Sequence, residues 1–436
     1  MTLAELSSKQ IAVLGLGENH KHLVQYFEKH KIQFQLIDKW QSDLDLDVLG
    51  FEVVFRTPGL RYLAKPLQDA RSKGALIYSQ TKLFFDLCPA KIIGITGTKG
   101  KGTTATLIHK ILEAGGQKAY LAGNIGRDPF EFLDELTPND WVILELSSFQ
   151  LQDLHKSPQI AVVLKITPEH LDYHRDFEEY REAKTSLVTF QTAEDAAVLN
   201  YDSEVTRAFA ASTQARVFWN SIMQDVRPGC FVKDEKIFLD EREIMSVSEV
   251  GLLGRFNLEN VTAAVAAAAA AGVSDAQAIR KAVADFRGLP HRLEFAADFK
   301  GVRYYDDSFS TTPETAAAAL SAFDAPIILI AGGSEKNADY ALLGQAIAEK
   351  KVKALLAIGV TGPKIAAAAR SSGYVGKIYD TNLTDMEKII AKAREIADSG
   401  DVVLLSPGSA SFDMFANYKE RGELFKKYAT QDRAQS

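Results

Sequence analysis

The chain has 436 residues, which is too long for one ordinary hydrophobic core and predicts two to four domains. Hydrophobic residues make up 46% and charged residues 25%, as in soluble globular proteins, and the net charge of −7 argues against a nucleic-acid-binding protein. Two cysteines without metal-type spacing, no signal-peptide pattern and no apolar run long enough to cross a bilayer together predict a cytoplasmic protein without a membrane partner.

The first segment, residues 1–88, shows the alternation of a Rossmann-like βαβ unit. An apolar run at 11–14 leads into Gly15-Leu16-Gly17, a helical stretch follows, and a second apolar run ends at Asp38. The glycine turn lacks the third glycine of a dinucleotide fingerprint, which argues against NAD. Asp38 stands where an acid that binds ribose or uracil is expected, so the segment predicts a nucleotide site at this turn.

The central segment, residues 89–288, begins with a buried strand at 91–96 that feeds a glycine-rich loop and then a helix. Gly97 and Gly100 lack side chains, so backbone N–H groups can close around phosphate oxygens, and Lys101 can reach the β- and γ-phosphates. The loop predicted to bind ATP comprises Gly97, Thr98, Lys99, Gly100, Lys101, Gly102, Thr103 and Thr104. A Ser or Thr that binds Mg²⁺ usually follows the lysine, whereas this chain has Gly102, so we expect Thr103 to take that contact, with Thr104 as the alternative.

Two polar residues follow further strands of this predicted parallel sheet. Glu145 ends the apolar run at 141–144, and His170 comes shortly after the run at 160–164. A carboxylate at a strand tip beside a phosphate loop is well placed to hold Mg²⁺, and His170 is expected to approach the same pocket as a metal or phosphate contact. The alternatives are an ordinary glutamate at a strand end and a structural histidine.

The third segment, residues 289–436, repeats the α/β pattern with apolar runs at 327–330, 354–358 and 402–405. The sequence therefore predicts an α/β protein of three domains: a Rossmann-like N-terminal domain, a central P-loop ATPase domain with a parallel sheet, and a Rossmann-like C-terminal domain. An alanine-rich run at 261–272 is expected to form a buried, closely packed helix.

Seven motifs in register resemble the Mur ligases, which assemble the peptide of peptidoglycan precursors. They cover nearly the whole chain and lie at residues 96–101, 123–126, 145–151, 166–172, 288–294, 307–308 and 405–413. The strings Glu-Leu-Ser-Ser-Phe-Gln at 145–150 and Ser-Pro-Gly-Ser-Ala-Ser-Phe-Asp at 406–413 are most similar to the member of the family that adds glutamate.

This resemblance implies an ATP-dependent amide ligase of cytoplasmic peptidoglycan-precursor synthesis. ATP would phosphorylate the alanyl carboxylate of UDP-N-acetylmuramoyl-L-alanine, the amine of glutamate would attack the acyl phosphate, and a tetrahedral intermediate would release phosphate. The resemblance implies D-glutamate as the amino acid and one or two Mg²⁺ ions as cofactors. We expect a monomer whose partners are these small molecules.

The resemblance also assigns residues by motif position. Catalytic roles fall on Lys101, Glu145, His170 and Lys184, and the implied metal ligands are Thr103, Glu145, His170 and Lys184. Lys184 matches a lysine that is carbamylated in the family, and carbamylation turns a cation into an anion able to hold a second Mg²⁺. Asn257 and Asn260 match asparagines near the adenine, whereas Arg292 and Asp307 match residues that reach ATP from the third domain.

Substrate contacts are implied in the same way. Those for the UDP-sugar are Gly15, Gly17, Asp38, Gly59, Asn124, Ser147 and Gln150. Those for glutamate are Thr311, Lys336, Ser411 and Tyr418, since a lysine pairs with a carboxylate and hydroxyl groups can orient it. Arg56, before the turn Thr57-Pro58-Gly59, is expected either to contact the UDP phosphates or to lie exposed in the loop.

Departures from the family pattern keep other functions open. The chain has Phe309 where the family has Lys and Thr312 where it has Asn, so a ligase for L-glutamate is one alternative. A folylpolyglutamate synthase would share the ATPase core, but it should lack the N-terminal βαβ unit and the string at 406–413. A nucleotide-binding regulator without catalysis is the third alternative, and Gly102 is the feature that favours it.

Overall fold

Three β-sheets, distributed over two compact units, make up the computed structural model, which describes residues 1–38, 47–171, 173–335, 337–380 and 385–431. The first unit comprises Met1–Val250 and Asn257–Asp285, and the second comprises Gly251–Phe256 and Phe286–Ser436. No helix within the described ranges is long and apolar enough to cross a membrane. The α/β class is thereby confirmed, whereas a division into three domains at residues 88 and 288 stays a prediction.

The first sheet has four parallel strands in the order β2-β1-β3-β4. Its strands are β1 Ile11–Leu14, β2 Gln35–Ile37, β3 Val53–Phe55 and β4 Leu76–Tyr78, with helices α1 Leu3–Ser7, α2 Glu18–Lys29, α3 Lys65–Ser72 and α4 Gln80–Leu87. The βαβ unit predicted around Gly15 is β1-α2-β2. Phe130 packs edge-on against Tyr26 and Phe84, so this sheet and the next share one hydrophobic core and form a single unit.

The second sheet has nine strands in the order β13-β12-β11-β10-β9-β8-β5-β7-β6. The strands are β5 Lys91–Thr96, β6 Ala119–Gly123, β7 Trp141–Glu145, β8 Ile160–Val163, β9 Ala196–Asn200, β10 Arg216–Ser221, β11 Gly229–Lys233, β12 Lys236–Leu239 and β13 Arg242–Ser246. Seven strands are parallel as predicted, but β12 and β13 run antiparallel at one edge. Asp234 and Glu235 both have positive φ, which makes the tight two-residue turn that reverses the chain after β11.

The helices of this part are α5 Lys101–Ala114, α6 Ser148–Leu151, α7 Phe177–Thr189, α8 Glu204–Arg207, α9 Asn257–Ala270 and α10 Ala276–Asp285. Helix α9 contains most of the alanine-rich run, and its residues from Val261 to Ala268 are buried. It packs against α5 and the central strands, because small side chains let helix backbones approach closely. The expectation of a buried, closely packed helix is confirmed.

The second unit holds a six-stranded sheet in the order β14-β15-β19-β16-β17-β18, parallel except for β14. The strands are β14 Glu294–Phe299, β15 Val302–Asp306, β16 Ile327–Gly332, β17 Val352–Ile358, β18 Lys377–Asp380 and β19 Val402–Leu405. The helices are α11 Pro313–Leu320, α12 Ala341–Glu349, α13 Gly362–Ser371, α14 Met386–Ile396 and α15 Tyr418–Thr430. The strands predicted at 327–330, 354–358 and 402–405 are confirmed as β16, β17 and β19.

Candidate active site

The glycine-rich loop joins β5 to the first turn of α5, as predicted. Gly97 and Gly100 both have positive φ, at 149° and 87°. A Cβ on Gly97 would lie 2.6 Å from Leu164 Cβ, and one on Gly100 would overlap Asn260 Oδ1. Glycine is therefore required at both positions by backbone conformation and by space, and α5 directs its N-terminal N–H groups toward the loop.

Two lysines converge on one carbonyl of this loop. Lys101 Nζ donates to the carbonyl oxygens of Gly97 (3.1 Å) and Thr98 (2.9 Å). Lys184 Nζ donates to the same Gly97 oxygen (3.0 Å) and to Thr96 Oγ1 (3.2 Å). Two of the four side chains predicted to be catalytic, Lys101 and Lys184, therefore lie at the phosphate loop, although 83 residues separate them in the sequence.

Lys184 is only 1% exposed, in contrast to the solvated helix residue that its sequence position suggests. Burial and, next, the nearby Lys101 charge lower the pKa of its ammonium group well below the usual range, and Glu169 and Glu145 oppose this only in part. Tyr180, one turn earlier on α7, places its ring 4.6 Å from Lys184 Nζ. Burial and the neighbouring cation thus both disfavour the charged form of Lys184.

The threonine hydroxyl groups of the loop differ in their hydrogen bonds. Thr98 Oγ1 donates to the carbonyl of Thr167, accepts from the Thr167 N–H and lies 3.1 Å from the Tyr180 hydroxyl. Thr104 Oγ1 donates to Asn260 Oδ1 at 3.3 Å. Since Thr104 is committed to Asn260, Thr103 in the first turn of α5 stays the better candidate for a metal contact.

Glu145 ends β7 and His170 comes after β8 of the central sheet, but the two side chains differ in burial. Glu145 is 7% exposed at the end of β7, whereas the His170 side chain is 45% exposed in the loop after β8 and has a positive φ of 57°. Glu169 forms an ion pair with Lys99 of the phosphate loop. His170 packs edge-on against Phe149, with ring centroids 5.0 Å apart.

The described histidine, cysteine, aspartate and glutamate side chains do not form a three-ligand cage around the phosphate loop. Among the residues that the structure describes, such a group occurs only in the second unit, at His291, Glu294 and Asp306, where the carboxylates are already engaged by His291 and Lys426. Mg²⁺ is usually held by one or two protein oxygens together with substrate phosphates and waters. The oxygens of Glu145 and Thr103 are of the type that Mg²⁺ prefers.

Three of the predicted substrate residues form one hydrogen-bonded cluster beside Glu145. Gln150 Oε1 accepts from the Ser147 N–H and Oγ (both 2.9 Å) and from Asn124 Nδ2 (3.2 Å). The Asn124 N–H donates to the carbonyl of Glu145. Ser147 is the N-cap of α6 and Gln150 completes its capping box, so local helix chemistry holds this cluster in place.

The two asparagines predicted near the adenine also meet. Asn260 Nδ2 donates to Asn257 Oδ1 at 2.8 Å in the first turn of α9. Asn260 is buried against Gly100 and Thr104, so this helix start lies beside the phosphate loop. This places Asn260 at the loop predicted to bind phosphates, and a contact of either asparagine with adenine stays a prediction.

Asp38 closes the glycine turn that follows β1 in the first sheet. Gly15 has a φ of 75° and its N–H donates to the carbonyl of Ile37, while Leu16 N–H donates to Asp38 Oδ1 at 2.7 Å. Gly17 is the N-cap of α2 and, as glycine, offers no side-chain cap to the first turn of that helix. Gly59 is exposed in the turn after β3.

The environment of Arg56 differs from both roles expected for it, a contact with the UDP phosphates and an exposed position in the loop. Its side chain is fully buried rather than exposed in the loop. The guanidinium donates to Asp153 Oδ2 (3.1 Å) and to the carbonyls of Leu60 (3.2 Å) and Phe149 (2.6 Å), so it is used within the protein rather than for UDP phosphates. A buried carboxylate from a distant segment holds it, which the sequence around Arg56 does not reveal.

In the second unit, Asp307 is buried just beyond the end of β15. It accepts from Ser406 Oγ (2.6 Å) and Leu293 N–H (3.2 Å), and burial raises its pKa to about 7. The Arg292 guanidinium lies 3.8 Å from the centre of the Phe309 ring. Phe309, which stands where the family has lysine, thus provides a cation–π contact.

Three of the predicted glutamate contacts lie on neighbouring loops of this unit. Ser411 is buried, Thr311 is half-buried, and Tyr418 begins α15 with its ring edge-on to Phe309. The fourth, Lys336, lies outside the described residues.

Sequence reasoning missed the residue that joins these loops. Arg421 is 1% exposed, and it donates to Ser308 Oγ and to the carbonyls of Ser308, Ser409 and Ala410. Burial lowers its pKa to about 10. Its neighbours in the sequence are charged, so it resembled a surface residue of a helix. Tyr180 was also missed, although its spacing of four from Lys184 on a helix was a usable signal.

Comparisons with known proteins agree along the chain. The family described as Mur ligase middle domain matches residues 95–268, and the one described as Mur ligase, glutamate ligase domain matches residues 291–408. The UDP-N-acetylmuramoylalanine--D-glutamate ligase of Acetivibrio thermocellus is 40% identical over 97% of this chain and 96% of its own. The enzyme of the same name from Symbiobacterium thermophilum is 40% identical over 96% and 97%. A MurF crystal structure from Acinetobacter baumannii has a TM-score of 0.63 at 16% identity, covering 95% of this chain and 99% of its own.

Proposed function

The chain belongs to the Mur ligase family, and from that premise we propose that it joins D-glutamate to UDP-N-acetylmuramoyl-L-alanine in the cytoplasm. It is an ATP-dependent ligase of peptidoglycan-precursor synthesis. The observation that carries the proposal is the convergence of Lys101 and a buried Lys184 on the carbonyl of Gly97, beside the cluster of Asn124, Ser147 and Gln150. A phosphate loop with that much positive and polar character on one side suits transfer of a phosphoryl group to a bound carboxylate.

The reaction requires positioning and charge neutralisation rather than a covalent nucleophile. The alanyl carboxylate attacks the γ-phosphorus of ATP, so that an acyl phosphate forms and ADP leaves. The amine of D-glutamate then attacks the acyl carbon and loses one proton to solvent, and phosphate leaves from the tetrahedral intermediate. Lys101 exchanges its loop carbonyls for phosphate oxygens, and the N-terminus of α5 adds its partial positive charge.

Mg²⁺ would be held by Glu145 and Thr103, with His170 and a modified Lys184 as further ligands, and it would neutralise phosphate charge. A neutral Lys184 amine can attack CO₂, forming an N–C bond and losing one proton to give a carbamate anion. Burial supports this step, because a protonated ammonium group cannot attack. The carbamate would replace a disfavoured buried cation by an anion facing a metal.

The proposed substrate contacts form separate sets for the UDP-sugar, for ATP and for D-glutamate. The UDP end would lie at Gly15, Gly17 and Asp38, where the N-terminus of α2 can meet a diphosphate, and Gly59 would border it. The alanyl end would lie at Asn124, Ser147 and Gln150. Asn257 and Asn260 would contact the adenine of ATP, with Arg292 and Asp307 as further predicted ATP contacts. The predicted contacts for D-glutamate are Thr311, Lys336, Ser411 and Tyr418.

Phosphate release tests the function directly. Purified protein receives ATP, Mg²⁺ and UDP-N-acetylmuramoyl-L-alanine, together with D-glutamate, L-glutamate or no amino acid. Release with D-glutamate alone is expected, and Lys101→Ala should abolish it. Release with L-glutamate alone would overturn the stereochemistry, and binding of ATP without release in any mixture would favour a regulator. A pteroate substrate in place of the UDP-sugar tests the folate-type alternative.

The role of Thr103 has its own test. If Thr103 supplies the hydroxyl that Gly102 lacks, Thr103→Ala should raise the Mg²⁺ concentration needed for half-maximal rate about tenfold, since one metal ligand is lost. Thr106→Ala, on the same helix but further from the loop, is the matched control. An unchanged Mg²⁺ dependence of Thr103→Ala would assign the contact to Thr104 or to water.

A further inference from the structure

Arg56 joins loops of two different sheets within the first unit. It stands directly after β3, and its guanidinium is completely buried. One arm donates to the carbonyl of Leu60, which ends the turn containing Thr57-Pro58-Gly59. The other arm donates to the carbonyl of Phe149, which lies in the short helix α6 of the connection after β7. One guanidinium thus spans the turn of the first sheet and the connection after β7 in the second.

Tyr173 strengthens the same junction from a third segment. Its hydroxyl donates to the Leu60 carbonyl at 3.1 Å, so that oxygen accepts from both Tyr173 and Arg56. The Tyr173 ring packs against Phe149 with centroids 4.2 Å apart. Tyr173 follows His170 by three residues, so the turn after β3 is tied to the loop after β8 as well as to the loop after β7.

A buried guanidinium is costly unless its donors are satisfied, and here the surroundings are built to satisfy it. Asp153 supplies the countercharge at 3.1 Å and is itself fully buried, with Ser79 Oγ donating to its second oxygen at 3.2 Å. The planar fork of arginine fixes the directions of its hydrogen bonds, whereas lysine offers a point charge on a flexible stem. The spacing between the Leu60 and Phe149 carbonyls is therefore set by the guanidinium.

We propose that Arg56 and Tyr173 are positioning residues that hold the turn at 57–60 in fixed relation to the loops carrying Ser147, Gln150 and His170. The inference rests on the proposed function, in which the turn borders the UDP end of one substrate and the two loops border its reacting alanyl end. A rigid span between the ends lets the binding energy of the remote UDP group orient the carboxylate. A loose span lets UDP bind without that benefit.

Two substrates separate this role from simple damage to the loop. UDP-N-acetylmuramoyl-L-alanine contacts both ends of the span, whereas the 1-phosphate of N-acetylmuramoyl-L-alanine lacks the uridylyl group. For wild type, kcat/KM should be much larger with the full substrate. Arg56→Lys should lower kcat/KM for the full substrate about tenfold, as expected for loss of a charge-assisted hydrogen bond, while the value for the truncated substrate falls far less. Tyr173→Phe, which removes only a hydroxyl, should lower the ratio of kcat/KM for the full substrate to kcat/KM for the truncated one by a smaller factor.

Arg71→Lys is the matched control, because Arg71 also stacks on Tyr62 (4.3 Å, against 5.3 Å for Arg56) but is not part of the junction. Arg71→Lys should leave the ratio of kcat/KM for the two substrates unchanged. Equal losses on both substrates in Arg56→Lys and Tyr173→Phe, or no loss in either, would overturn the proposal. So would a wild-type protein that uses both substrates equally well. A wild-type protein inactive on both would instead refute the proposed function.

Discussion

Substituting Gly100 by alanine tests whether the phosphate loop and the start of α9 are one packed unit. Gly100 has a φ of 87°, and a Cβ there would overlap Asn260 Oδ1. Asn260 cannot move without disturbing two hydrogen bonds, one from Thr104 Oγ1 at 3.3 Å and one to Asn257 Oδ1 at 2.8 Å. The variant should therefore weaken both folding and ATP binding.

The expected size of the effect follows from these two terms. A residue with a Cβ in the left-handed region costs about 1–2 kcal/mol. Two disturbed hydrogen bonds cost about 1 kcal/mol each, which brings the total to roughly 3–4 kcal/mol. Gly116→Ala isolates the first term, because Gly116 has a φ of 76° and open space where a Cβ would be, so its cost should be about 1–2 kcal/mol.

Urea unfolding followed by tryptophan fluorescence measures these differences, since Trp141 and Trp219 both lie in the first unit. ATP affinity, measured by calorimetry, should fall at least tenfold in Gly100→Ala and stay near wild type in Gly116→Ala. The double variant Gly100→Ala, Asn260→Ala relieves the overlap. Its loss of unfolding free energy should therefore be smaller than the sum of the losses in the two single variants. Equal destabilisation by Gly100→Ala and Gly116→Ala would show that the contact between Gly100 and Asn260 contributes nothing to stability.

Three further predictions concern buried charges. Lys184→Arg should abolish activity, and a carbamate signal seen by NMR with ¹³C-bicarbonate in wild type should be missing from it; a retained signal would assign the carbamate elsewhere. Asp307 has a folded-state pKa of about 7 against an ordinary 3.8, so its stabilising effect is full below about pH 4 and is lost as the pH rises through 7. Asp307→Asn should flatten the fall in unfolding free energy over that range, and a parallel pH profile in urea titrations would contradict this. Arg421→Lys should take from the Ser409 carbonyl its guanidinium donors, whereas the Ala410 carbonyl keeps the Ser334 N–H, so the cost should be about 2 kcal/mol. Unchanged hydrogen exchange in α15 and in residues 408–411 would show that the contacts of Arg421 are dispensable.

Much of the site could be predicted from sequence because its signals are local. The phosphate loop is a strand, two glycines, a lysine and a helix in continuous sequence, and the conformation of each glycine follows from its own neighbours. The capping box of Ser147 and Gln150 is local in the same way. The parallel strands were recognisable from their apolar runs and turn signals, whereas the hairpin of β11 and β12 depends on Asp234 and Glu235, two non-glycine residues with positive φ.

The electrostatic character of the site could not be predicted, because it depends on segments that are distant in the chain. Lys184 lies in a charged stretch, and only the fold brings it to Gly97 and removes it from water. Arg56 looked like a loop residue until Asp153, almost a hundred residues away, was found beside it. Arg421 likewise reaches Ser308 across more than a hundred residues.

The α/β class, the family, the phosphate loop and the substrate class can be read from contiguous motifs. Which charges are buried, and how the turn after β3 is tied to the connections after β7 and β8, depends on the packing of segments that are distant in the chain. Desolvation and hydrogen-bond satisfaction depend on everything packed around a group, which is why these features needed the three-dimensional structure. Sequence spacing carries little of that information.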